Sequence, residues 1–507
     1  MALLLLLLAL SLLPGAASLP LFDQDEAAYA GFARGMVESG SWVLHDYPWS
    51  EMHRKPPLAL WLIAASFTVL GESWFSLRLP GALCLSLSVL WVAWRGAAHF
   101  GRERAALAAL LLATSLVPLF GRVALVDPAL LLGETIAFFG LLDVLKGRRS
   151  GALSVGLGLA IGLLAKGPAI LVFLGVGLPA LAILHPERRR LLSTWLALAL
   201  LLGFLPLLAW GWRTWQEDGG ATVRWMLDWY LLKRTSGAVL GQSGPPGTYL
   251  LLFLLFATPW TGLLLAGALQ LVRRRDLASE RALLAWLLGG WIVWELLSSK
   301  LPAYSLGAWP ALALVAAQPL LDDEGPPRWS LWVSALVSVA LGLGLIGVGL
   351  ALEEDLVLPG LALCGAWLLL SGPTAMVLLA RGRRALGLGV GAICAPVLLA
   401  LAFTVGLPEL RPRLHITWSV AQTVEQLAPG GASVHLVDAW RLPSLIYYLE
   451  GQGREVEIVP REARPGDGVW ILAELPQELD GKRWARVEGW VPDKGVPTSF
   501  YVVVTGP

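Results

Sequence analysis

Apolar residues in this chain gather into more than a dozen long runs separated by short polar stretches. The runs lie at about 2–22, 78–97, 105–121, 128–145, 151–165, 168–184, 191–212, 248–272, 283–298, 302–320, 328–350, 356–380 and 385–407. A helix needs roughly 20 apolar residues to cross a bilayer, and only a helix satisfies its own backbone inside the hydrocarbon. The pattern predicts a polytopic α-helical membrane protein with about 13 transmembrane helices. The first run carries Gly15-Ala16-Ala17, which imitates a signal cleavage site. It lacks the basic stretch that opens a signal peptide, and many spans follow it, so it reads as a retained helix.

The polar stretches between runs set the orientation. Arg95, Arg102 and Arg104 follow the second run, Lys146, Arg148 and Arg149 the fourth, and Arg188–Arg190 the sixth. Arg273–Arg275 follow the eighth, and Arg381, Arg383 and Arg384 the twelfth. The alternate stretches carry Asp25, Glu26, Asp127, Glu217, Asp218 and Glu353–Asp355. Lys and Arg accumulate on the cytoplasmic side. The N-terminus is therefore expected inside and the tail outside.

Two segments break the rule of long runs. Residues 23–77 form a first outer loop, with an amphipathic helix expected at 26–39 and a short apolar, interfacial or re-entrant helix at 57–70. Residues 1–407 then constitute the transmembrane domain and 408–507 a small α/β domain. In the tail, helices are expected at 415–427 and 443–450, and strands at 433–437, 455–459, 468–473 and 499–505.

Composition agrees. Apolar residues make up 56% of the chain and charged ones 15%, against about a quarter charged in soluble proteins. A formal net charge of +1 gives no argument for nucleic acid. Cys84, Cys364 and Cys394 all fall inside apolar runs, so no disulfide framework is implied.

Candidate chemistry concentrates on the outer side. Phe22-Asp23-Gln24-Asp25-Glu26 leaves the first run as an acidic cluster, which by itself also suits a helix start. His53-Arg54-Lys55, Arg78, Lys166 and Lys300 are basic points on the side where basic residues are scarce. Cations at membrane depth need a partner, and acidic residues near them in sequence are few. An anionic ligand such as a lipid phosphate is the economical explanation, with Lys55 solvated and ready to meet it. Snorkelling to the interface is the bland alternative for each one. No spaced His/Cys cluster marks a metal, so no cofactor is required; Asp25, Glu26 and His53 are the one set that a divalent ion would bridge.

The stretches FDQDEAAYAGFARGMVESGSW, HRKPPLALW, FSLRLPGAL, GRVALVDPALLL, LLAKGPAI, ATPWTGLLLAGAL and SKLPAYSL resemble the bacterial dolichyl-phosphate-mannose protein mannosyltransferase superfamily. Within it the similarity points to the lipid A aminoarabinose transferases. The tail matches weakly, mainly at AWRLPSLIYYLEG. The resemblance implies a GT-C fold in the bacterial inner membrane, with a cavity and the tail facing the periplasm. It implies an inverting transfer of one sugar from a polyprenyl-phosphate donor to lipid A, a glycan or a protein. Asp25, with Glu26 beside it, maps to the catalytic acidic position and Lys55 to the lysine that meets the donor phosphate. Arg78, Lys166, Lys300 and Tyr304 map around the donor, and Arg34, His53, Arg54, Asp127 and Arg234 complete the polar cavity. The stretch 213–247 departs from the family, as does the tail. A hydroxyl acceptor needs a carboxylate to take its proton, whereas a phosphate acceptor needs none. A flippase or transporter of lipid-linked sugar, or a glycan polymerase, are the alternative activities; a transporter would place its charges near the midplane.

Overall fold

The computed structural model describes the chain except residues 23, 234–242, 352–357, 438–441, 461–466, 475–481, 492–495 and 506–507. It divides into two compact units. The first comprises Met1–Ala16, Lys55–Leu62 and Arg78–Gly406; the second comprises Ala17–Arg54, Ile63–Leu77 and Leu407–Pro507. The first outer loop thus groups mostly with the tail.

The first unit is built from membrane helices. Seven helices among the described residues are long and apolar enough to cross a membrane: Trp74–Phe100, Asp127–Leu145, Thr194–Asp218, Pro302–Leu321, Arg328–Leu350, Pro359–Ala380 and Arg384–Glu409. Ala2–Leu12, Leu58–Leu70, Ala169–Leu184 and Thr261–Arg273 are apolar but shorter. The chain is a multi-pass membrane protein. Leu201, Leu205 and Leu208 of Thr194–Asp218 point outward, as lipid-facing positions do, whereas Asp127–Leu145 is enclosed by its neighbours.

Three expected spans are shorter than the apolar run that suggested them; the run 105–121 is helix Arg102–Ala113 followed by a 3-10 turn at Val117–Gly121. The first helix stops at Leu12, because Pro14 and the left-handed Gly15 (φ 75°) redirect the chain. Arg122 closes that end by donating to the carbonyls of Ser11, at 2.5 Å, and Pro14. The run 248–272 is two helices, Thr248–Phe256 and Thr261–Arg273. Pro259 lies in the break, where it has no N–H to continue the ladder.

Glycine sets the central packing. Helices Asp127–Leu145 and Arg149–Lys166 form a hairpin in which Gly133 meets Gly158, and Gly140 meets Gly151. A Cβ built on Gly158 would lie 2.4 Å from the Gly133 carbonyl oxygen, and one on Gly151 2.6 Å from that of Gly140. Small residues let membrane helices approach this closely. The hairpin brings its two ends together, Asp127 where it begins and Lys166 where it finishes.

The second unit contains a five-stranded sheet: β1 (Val434–Val437), β2 (Val456–Val459), β3 (Gly468–Leu472), β4 (Arg483–Val491) and β5 (Val496–Thr505). Its order is β2-β1-β3-β5-β4, with β1 parallel to β2 and β3 and β5 antiparallel to β3 and β4. Helices Ile416–Leu427 and Pro443–Gly451 pack on it, burying Val420, Val424, Leu445 and Leu449 with Val434, Leu436 and Ile471. These elements correspond to the tail read from sequence. Strand β4 was not anticipated. Its outward positions carry Trp484, Arg486, Glu488 and Trp490, while only Val487 and Gly489 on the other side are buried, so its alternation is hard to see.

Candidate functional site

In the second unit the acidic cluster opens helix Asp25–Ser39. Asp23 lies outside the described residues. The Asp25 Oδ1 is 2.7 Å from His53 Nδ1 and 3.3 Å from the Tyr29 hydroxyl, which donates to it. His53 Nε2 meets the Gln24 side-chain amide at 3.2 Å. Glu26 is buried and turns back to accept the Phe22 N–H at 3.0 Å. Asp25, Glu26 and His53 therefore do not converge on one point, and among the described residues no three His, Cys, Asp or Glu side chains are grouped to hold a metal. Arg54 pairs with the exposed Asp46 at 2.8 Å.

Arg34 is taken up elsewhere. Its guanidinium pairs with Glu72 at 2.5 Å and Glu450 at 3.5 Å, donates to the Tyr447 carbonyl at 3.0 Å, and stacks 3.5 Å from the Tyr447 ring centroid. Tyr447 donates to Glu72, and Tyr47 to Glu450 at 2.8 Å. Burial by itself lowers the Arg34 pKa, but the hydrogen bond to Glu72 and the charge around it hold the guanidinium above its ordinary value. Burial pushes the Tyr47 phenol up, and the Glu450 carboxylate pushes it further. This network ties helix Asp25–Ser39 to helix Pro443–Gly451, so Arg34 is a fastening.

In the first unit, Lys55 is buried, not solvated. Its Nζ donates to the Tyr230 hydroxyl at 2.6 Å and lies 4.8 Å from that ring's centroid. Tyr230 also lines a cavity of about 550 Å³ with Pro56, Lys166, Leu207, Trp210, Trp212, Trp215 and Met226. The walls are almost wholly apolar. Lys166 is a polar member, and its Nζ pairs with Asp127 Oδ1 at 2.5 Å and lies 4.5 Å from the Tyr304 ring centroid. The turn after Lys166 depends on Gly167, whose φ of 63° suits glycine.

The expectation that these outer cations lack protein partners fails for Lys166, whose carboxylate partner stands 39 residues earlier. It fails for two others through main-chain acceptors. Arg78 is buried and donates to the Ala16 carbonyl at 2.8 Å. Lys300 donates to the carbonyls of Trp294 and Glu295, each at 2.8 Å, and of Leu297. Lys300 thus closes the end of helix Val293–Leu296, as cations near helix C-termini do. Arg234 lies outside the described residues. Sequence reading missed Tyr230 and the tryptophan wall, although WGWRTW at 210–215 is an unusual cluster for a membrane helix end.

Residues 54–212 match the family described as dolichyl-phosphate-mannose-protein mannosyltransferase. The undecaprenyl phosphate-alpha-4-amino-4-deoxy-L-arabinose arabinosyl transferase of Edwardsiella ictaluri is 26% identical over 339 residues, 64% of this chain and 60% of that protein. The protein of the same name from Pseudomonas aeruginosa is 30% identical over 346 residues, 66% of this chain and 60% of that one. The chain thus spans 60% of the length of these relatives. The crystal structure of ArnT from Cupriavidus metallidurans bound to undecaprenyl phosphate superposes with a TM-score of 0.78 at 19% identity, covering 100% of this chain and 98% of that one. Its apo state gives 0.73 at 18% identity. The chain has the GT-C fold of ArnT, and in sequence it resembles the dolichyl-phosphate-mannose protein mannosyltransferases and the aminoarabinose transferases.

Proposed function

We propose that this protein is an inverting glycosyltransferase that takes one sugar from a polyprenyl-phosphate donor, at the periplasmic face of a bacterial inner membrane. The observation that carries the reading is the pairing of a cavity with a cation. An apolar space of about 550 Å³ is walled by three tryptophans, and the lysine hydrogen-bonded to its Tyr230 wall is buried. An isoprenoid tail with a phosphate head has that same division of character. A 4-amino-4-deoxyarabinose carried on undecaprenyl phosphate is the donor that the relatives' names suggest, and lipid A is the acceptor favoured over glycan or protein.

In the proposed reaction the bond between the sugar's anomeric carbon and the phosphate oxygen breaks, and the electron pair remains on the phosphate. Lys55 neutralises that charge as it develops. The acceptor oxygen forms the new bond from the opposite face. Asp25, oriented by His53 and Tyr29, takes the proton if the acceptor is a hydroxyl; if the acceptor is a phosphate, Asp25 orients groups instead. No cofactor takes part.

The test is Asp25→Asn in the purified, reconstituted protein, with transfer from a radiolabelled polyprenyl-phosphate sugar as the readout. A hydroxyl acceptor predicts a fall in turnover of about 10²–10⁴-fold, with donor affinity retained and no effect of a chelator on the unsubstituted protein. Turnover at the normal rate would remove Asp25 from the chemistry and leave it as a helix start.

A further inference from the structure

Helix Thr194–Asp218 carries two glycines, and they differ in what surrounds them. A Cβ on Gly203 would stand 2.9 Å from the Gly156 carbonyl oxygen and 2.9 Å from Leu159 Cδ2. Gly203 is small because a neighbouring helix presses on it. A Cβ on Gly211 would meet nothing within 4 Å among the described residues. The Gly211 backbone is not left-handed, unlike that of Gly219, which ends the helix at φ 64°. Neither conformation nor helix packing explains why Gly211 has no side chain, and a glycine inside a helix weakens it relative to alanine.

A remaining use of glycine is to let a ligand come close to the backbone, and the position suits it. Gly211 lines the cavity of about 550 Å³. Leu208 and Leu207 stand three and four residues before it and Trp215 four residues after, so they share its face of the helix. All three also line the cavity, and a side chain at 211 would point into the middle of that wall. Trp210 and Trp212 leave the helix about 100° to either side of Gly211, and both are lining residues. The wall here is a slot with indoles for sides and backbone for a floor.

We propose that Gly211 is a specificity-determining residue of the donor site, its missing side chain leaving the slot that seats an isoprene unit of the donor's chain. This rests on the reading of the cavity as the seat of a polyprenyl chain. An isoprene unit is flat at its double bond and carries a methyl branch. The flat part lies along an indole face, and the branch takes up depth that a straight methylene chain does not use. Close-packed side chains respond to a single methylene, so the depth of the floor selects the branched chain over the straight one.

The experiment uses the full chain reconstituted in nanodiscs, with undecaprenyl phosphate and hexadecyl phosphate as binding probes that share a phosphate head, and labelled sugar transfer as the rate assay. The unsubstituted protein should prefer undecaprenyl phosphate. Gly211→Leu should weaken undecaprenyl phosphate binding roughly 10- to 100-fold and hexadecyl phosphate binding much less. Gly211→Ala should move the preference the same way by a smaller factor. Thermal stability should hold or rise in both, since both residues favour helix over glycine, and this separates lost binding from lost fold. Met226→Trp, checked for folding in the same way, fills the cavity from helix Ala221–Leu227 and tests the underlying reading. Unchanged undecaprenyl phosphate binding in that variant places the chain elsewhere and defeats the cavity reading itself. Weaker binding in Met226→Trp with normal binding in both Gly211 variants defeats only the role of Gly211. Equal losses of both probes in Gly211→Leu also defeat it, since the cavity would then be a general lipid seat. Lost turnover with unaltered binding in Gly211→Ala defeats it too, because the glycine would then be a hinge.

Discussion

Helix Asp127–Leu145 carries a buried carboxylate near each end, and the two are treated differently. Asp143, at the end flanked by arginine-rich loops, receives Arg95, His99 at 3.1 Å and Arg148 at 3.1 Å. Asp127, at the cavity end, pairs with Lys166 at 2.5 Å. Two guanidinium forks converge on one aspartate, and a fork holds a fixed geometry. The ammonium of Lys166 is a compact charge on a flexible stem, with three donors to distribute. The first arrangement is suited to holding helices together. The second is suited to exchanging partners when an anionic ligand arrives. Burial alone does not separate a fastening from a site; the number and kind of donors do.

Substitutions can break this contrast. Asp143→Ala should have the largest effect on stability, about 2–3 kcal/mol, because it removes a buried carboxylate shared by Arg95, His99 and Arg148 and leaves the partly buried Arg95 without it. Thermal unfolding in detergent would measure this, and the protein that remains folded should turn over normally. Unchanged stability would erase the distinction between the two ends. Gly158→Ala should cost about 1–3 kcal/mol through the crowding of its Cβ against the Gly133 carbonyl. It should also lower turnover, since it wedges apart the hairpin that brings Lys166 to Asp127; a stable but fully active variant would uncouple the glycine seam from the site. The smallest effect is expected from the Asp127–Lys166 pair. A double-mutant cycle with Asp127→Asn and Lys166→Met should return a coupling on the order of 1 kcal/mol. A coupling as large as the Asp143 loss would make both ends fastenings.

Local features of the fold were legible because they depend on neighbours in sequence. The amphipathic stretch 26–39 is helix Asp25–Ser39, and the short apolar stretch 57–70 is helix Leu58–Leu70. The proline that splits 248–272 was visible but was outweighed by the length of the run. Pairings across long separations were not legible. Arg34 finds Glu72 38 residues away and Glu450 416 residues away, and Arg104 finds Glu280 176 residues away. A cation without a nearby acid in the sequence therefore looked like a ligand site when it was already engaged in the protein. For the same reason the main-chain acceptors of Arg78 and Lys300 could not be foreseen, since every residue has a carbonyl and only the fold decides which ones face a cation. The acidic cluster and Lys55 were picked out by the side of the membrane on which the charge pattern leads one to expect them.

The glycine-seamed hairpin also acts as a gauge. Asp127 and Asp143 are 16 residues apart on one helix, which at 1.5 Å per residue is about 24 Å. A hydrocarbon layer is about 30 Å thick, so two charged clusters stand slightly closer together than the two surfaces they would prefer to reach. Helices pressed backbone to backbone bend and slide little, so the glycine contacts hold this spacing fixed.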